Sequence, residues 1–110
     1  MLAMRLSPVS RKADVVVVAA RYDDGGGQLS QAQAYERRGA VWGDVVLLDR
    51  DGLLGKVRSR RKVFAGEARA EVPGDFILRG AIRARGAAGR TVLVQGASAD
   101  GTDDLGVPLF

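Results

Sequence analysis

Apolar and polar positions fall into a few segments punctuated by Asp and Gly. Val15–Tyr22 opens with four consecutive valines and runs into Asp23-Asp24-Gly25-Gly26-Gly27. A β-branched run without polar alternation predicts a strand covered on both faces, and Asp and Gly tolerate the positive φ that a reversal needs. Residues 28–38 fit two templates. Ser30 suits the N-cap of a short helix ending at Gly39, whereas Leu29, Gln31, Gln33 and Tyr35 suit one face of a return strand. The hairpin is preferred, because antiparallel return is the shortest connection after a Gly-rich turn.

A second apolar segment, Val41–Leu48, ends at Asp49-Arg50-Asp51-Gly52. Asp51-Gly52 would serve as a hairpin turn. Against that, Asp49 and Asp51 suit a helix N-terminus, and Leu53, Leu54 and Val57 fall on one helical face. Arg58, Arg60, Arg61 and Lys62 would then sit at the C-terminal end, where the helix dipole favours cations. The pattern predicts one short helix over about 50–60, despite Gly52 and Gly55, each a cost of about 1 kcal/mol if interior. Lys62–Ala70 returns to strand, and Val72-Pro73-Gly74-Asp75 is a turn. Phe76–Arg85 reads as a half-buried strand, with Phe76, Leu78, Ile82 and Ala84 on one face and Ile77, Arg79, Ala81, Arg83 and Arg85 on the other. Gly86–Gly89 turns the chain, and Arg90–Gln95 comes back antiparallel. The apolar end Leu105–Phe110 is expected to dock on the body, since an exposed Leu-Phe terminus would be sticky.

Together these elements predict an α+β fold. Its sheet is mainly antiparallel, with five or six strands, strongly bent or forming a partly open small barrel, and one short helix packs near 50–60. The chain has 110 residues, about one domain's worth. A flexible leader is expected over 1–13 and a single domain over 14–110. The longest apolar run, Val15–Ala20, is far short of the ~20 residues that span a bilayer, and Arg21 closes it before it reaches signal-peptide length. A soluble, cytoplasmic protein is expected, with no membrane partner.

Composition closes many chemical routes. The chain has no Cys and no His. Disulfides, thiolate zinc sites, iron–sulfur clusters and cysteine nucleophiles are excluded, as are the usual neutral-pH base and the commonest transition-metal ligand. Several motif fragments fail on spacing. Gly25-Gly26-Gly27 lacks the further glycine of a dinucleotide loop, because Ser30 stands there. Gly52-Leu53-Leu54-Gly55-Lys56 has two spacers where a phosphate loop has four, and Val57 replaces its hydroxyl. Gly96-Ala97-Ser98-Ala99-Asp100 is a nucleophile elbow without its closing glycine or a histidine base. Ser59-Arg60-Arg61-Lys62 matches a Ser-x-x-Lys pair, but in a chain too small for the fold that uses it. Asp100, Asp103 and Asp104 lack the glycine and the bidentate glutamate of a calcium loop. No two carboxylates are brought together by sequence. The expectation is therefore a chain that is not an enzyme and carries no cofactor and no metal.

Charge is unevenly placed. The net charge is +4, from 17 Lys and Arg against 13 Asp and Glu. Only three of the cations are lysines, Lys12, Lys56 and Lys62, an Arg bias that a high-GC genome writes by default alongside abundant Ala, Gly and Val. Placement carries more information than number. Residues 1–38 hold six cations and four anions, 39–90 hold eleven and six, and 91–110 hold three aspartates and no cation. Lys56–Lys62 contains Lys56, Arg58, Arg60, Arg61 and Lys62 with no acid. Arg79–Arg90 contains Arg79, Arg83, Arg85 and Arg90, again with no acid. Merged on one face, these stretches would attract phosphates with little sequence preference. The competing reading is a solvated strand face. No string interleaves basic and aromatic residues. Two functions follow as expectations. The first is a small non-catalytic binding or interaction module, working through a sheet edge on a protein partner or as a homodimer. The alternative is a nucleic-acid- or polyanion-binding domain whose contacts are those nine cations.

Overall fold

Seven strands and one helix follow in the order β1 (Val15–Tyr22), β2 (Leu29–Arg38), β3 (Val41–Trp42), β4 (Val46–Asp49), α1 (Arg50–Arg58), β5 (Val63–Ala68), β6 (Phe76–Ala87) and β7 (Arg90–Gln95). The computed structural model describes residues 13–23, 27–39, 41–69, 76–87, 90–96 and 102–110. The leader up to residue 12, the turn expected at 72–75 and the middle of the one expected at 23–27 lie outside the described residues. Of the turn expected at 86–89, Gly86 and Ala87 instead extend β6, because they keep pairing with Thr91 and Arg90. Ala13 is fully buried.

β1 and β2 form the expected antiparallel pair, with Val16 opposite Tyr35 and Ala20 opposite Ala32. The apolar segment 41–49 becomes two short strands, β3 and β4, that share the outer edge of β2. α1 follows directly. Asp49 caps it by accepting the Gly52 N–H at 2.7 Å, and Leu53 and Leu54 bury its inner face. Crossing by α1 sets β5 beside β1 in the parallel sense, Val15 opposite Val63, as strand–helix–strand connections do. β6 and β7 complete the sheet by antiparallel pairing. Its order is β3-β2-β1-β5-β6-β7, with β4 also on β2. The sheet is mixed and curled into a half-barrel. Among the described residues no helix is long and apolar enough to cross a membrane.

The valine run is buried from both sides. Val15 and Val17 join Leu53, Leu54, Val63, Ile82, Leu93 and Leu105 in the main core. Val16 and Val18 join Tyr35, Trp42, Phe64 and Phe76 in a second, aromatic cluster. There the Trp42 and Phe76 rings meet edge-on at 4.7 Å, and Tyr35 lies 5.2 Å from Phe76.

The face assignment along β6 needs correction. Phe76 and Leu78 belong to the aromatic cluster, whereas Ile82 and Ala84 belong to the main core. The cause is a bulge: Phe64 pairs Ala81 while Gly66 pairs Leu78, so two steps of β5 face three of β6. One extra residue inverts the alternation of side chains. The Gln95 side chain braces this point, Oε1 accepting the Gly80 N–H at 3.0 Å and Nε2 donating to the Leu105 carbonyl at 2.8 Å.

The C-terminal segment docks as expected and links β7 to β1. Asp104 bridges Val94 of β7, and Leu109 bridges Ala20 of β1. Arg21 donates to the Phe110 carbonyl at 3.1 Å, with its guanidinium 4.5 Å above the Phe110 ring. Asp103 fixes the arrangement. Its carboxylate accepts the Leu29 N–H of β2 at 2.7 Å, the Leu93 N–H of β7 at 2.8 Å and the Arg50 guanidinium at 2.8 Å.

Candidate anion-binding groove

The C-terminal end of α1, the turn 59–62 and the first residues of β5 face the middle of β6 across an open groove of about 590 Å³. The groove exists because β5 starts late. Its ladder with β6 stops at Phe64 opposite Ala81, while β6 runs on to Ala87 beside β7. Chain that would have extended β5 instead forms the end of α1 and the turn after it. Ser59 closes the helix, its N–H bonding the Gly55 carbonyl at 3.0 Å and its hydroxyl the Lys56 carbonyl at 2.9 Å. Arg60 then adopts φ +66°, which reverses the chain toward β5.

Five of the nine sequence-nominated cations meet here. Arg58, Arg61 and Lys62 form one wall, Arg83 and Arg85 the other, and Val57, Val63, Phe64, Ala81, Ile82 and Ala84 lie between them. No acid is among the lining residues. Arg58, Arg61, Lys62 and Arg83 are exposed, and Arg85 donates weakly to the Gly96 carbonyl at 3.3 Å. Asp14 is the acid whose charge reaches Arg61. It is already engaged, accepting the Lys62 N–H at 2.9 Å and the Arg37 guanidinium at 2.6 Å. The Lys62 amide, and then Arg37, hold its carboxyl below the ordinary value against the opposing effect of burial.

The remaining nominated cations are elsewhere. Lys56 pairs with Glu36 at 2.6 Å. Arg79, within the bulge, pairs with Glu67. Arg60 is exposed but does not line the groove, and the Arg90 side chain lies outside the described residues. Other fragments resolve structurally. Ser59 is a helix cap, Gly52 and Gly55 lie within α1, and Ser98 and Asp100 lie outside the described residues. Among the described residues no group of three or more acidic side chains has a metal-binding arrangement.

Sequence reasoning missed Asp103. Burial pushes its carboxyl up, but the Arg50 guanidinium and the Leu29 and Leu93 amides outweigh that and hold it below the usual value. Both oxygens are occupied by these donors, so this ion pair is a clamp and not a general acid or base. In the sequence, nothing separates Asp103 from its acidic neighbours. Tyr22 is likewise engaged, its hydroxyl accepting the Leu105 N–H at 3.0 Å, and burial raises its pKa. Comparison with protein-family models, curated proteins and solved structures returns no match.

Proposed function

We propose that this chain is a non-catalytic binding module that takes an extended anionic polymer in the groove between α1 and β6. The observation carrying this reading is the convergence of two acid-free sequence stretches, separated by β5, on one cavity. Arg58, Arg61 and Lys62 come from the first, Arg83 and Arg85 from the second. Unpaired cations around a partly apolar groove concentrate negative charge, and arginine in particular binds carboxylates and phosphates in a forked geometry. The chain has no His and no Cys, which favours a binding role over catalysis.

A labelled single-stranded oligonucleotide and a labelled oligoglutamate, each titrated at about 50 and 200 mM salt, test the reading. At least one of them is expected to bind at the lower salt. If five phosphates are neutralised, oligonucleotide affinity falls about 10²-fold over that range. Absence of binding by both probes at the lower salt contradicts the proposal.

A further inference from the structure

We infer that the groove's ligand is an acidic peptide segment that adds as a strand to the edge of β6, an assignment that rests on the polyanion reading above. Over 82–87, β6 has β7 on one side, and on the other the β5 ladder has ended. The Ala81 carbonyl accepts the Gly96 N–H at 3.0 Å, on the β7 side. Backbone groups alternate direction along a strand. Arg83 and Arg85 therefore turn their amides toward β7, and Ala84 turns its N–H and C=O toward the groove. A groove bounded by a strand edge and a helix is the geometry of β-augmentation, in which main-chain bonds supply affinity and alternate side chains supply selectivity.

The charge of the walls states the chemistry of the guest. At ~3.3 Å per residue the lining stretch Ile82–Arg85 accommodates about four residues of an added strand. Guest side chains on one face would meet Arg83 and Arg85, which favours Glu or Asp at every second position. Those on the other face would meet the side of Val57 and Ala84, which favours small apolar residues. A nucleic acid has less to use here. The lining holds one aromatic, Phe64, which is half-buried and packed into the Val16 cluster, and a strand edge presents donors and acceptors in a spacing that matches another backbone.

The test is fluorescence anisotropy on the intact protein with three labelled probes of equal charge at about 50 mM salt. They are an alternating Glu-Val peptide, the same peptide N-methylated at every second residue, and a single-stranded oligonucleotide. The alternating peptide is expected to bind most tightly, and N-methylation to weaken it about tenfold or more, since a methylated amide cannot join the ladder. Bound peptide is also expected to shift the Ala84 amide resonance. Equal binding of the two peptides overturns strand addition while leaving the polyanion reading intact. Tighter binding of the oligonucleotide overturns it in favour of nucleic acid. Binding by none of the three overturns both readings, and the arginines are then guards that keep an exposed edge unpaired.

Discussion

The Asp103 carboxylate does what a strand ladder does elsewhere in the sheet: it satisfies the amides of Leu29 and Leu93 at once and ties β2 to β7. Replacing it with Ala leaves two buried donors and the Arg50 charge without their acceptor. The expected loss is about 3–5 kcal/mol, a large share of the 5–15 kcal/mol typical of a domain, and denaturant unfolding measures it. Tyr22→Phe removes only the acceptor of the Leu105 N–H and is expected to cost about 1 kcal/mol. The pH dependence has a definite sign. The carboxyls of Asp14 and Asp103 are both held below their ordinary value in the folded chain. Their contribution is therefore complete above the unfolded value of about 3.9 and fades as pH falls through it toward the folded values. The thermal midpoint is expected to drop steeply below about pH 4, and Asp103→Asn, less stable at pH 7, should show a shallower acid arm. An unchanged acid arm in that variant would show that the clamp does not titrate with folding.

At the level of elements, Gly55 of α1 behaves differently from Gly66, which is buried in β5. A Cβ at Gly55 meets nothing within 4 Å, so Gly55→Ala is expected to stabilise the protein by about 0.5–1 kcal/mol through helix propensity. A Cβ at Gly66 would lie 2.8 Å from the Ile77 carbonyl oxygen and 2.9 Å from Val16 Cγ1. Gly66→Ala is expected to cost about 1–3 kcal/mol, measured in the same unfolding experiment. Elements with strong local signals were readable in advance: the four valines, the Asp49 cap with Leu53 and Leu54, and the hairpin of β6 and β7. The bulge in β6 was not: Gly80, where a Cβ would lie 2.8 Å from the Gln95 side chain, is its one local signal, and the register itself is set by pairing with β5. Splitting of 41–49 into β3 and β4 likewise depends on β2, which offers one edge to both.

For the whole molecule, the decisive geometry is the late start of β5. It ends the β5 ladder on one edge of β6 while β7 pairs the other, and places the end of α1 opposite that edge, so that residues about twenty positions apart share a groove. Sequence placed nine cations in two stretches; tertiary structure gathers five of them at the groove and pairs two others with acids. Glu36 and Glu67 lie outside both stretches, yet they pair with Lys56 and Arg79. The C-terminal segment adds a further link between β7 and β1. The central claim is that location, not net charge, makes the site. Two double variants with the same net charge separate these causes: Arg61→Gln with Arg83→Gln, which empties the groove of two cations, and Lys56→Gln with Arg79→Gln, which removes two cations already paired. Titrated with labelled oligoglutamate at about 50 mM salt, the first is expected to lose at least about tenfold in affinity, a difference of about 1.4 kcal/mol, and the second to bind as the unmodified protein does. Equal losses in the two variants would contradict the account.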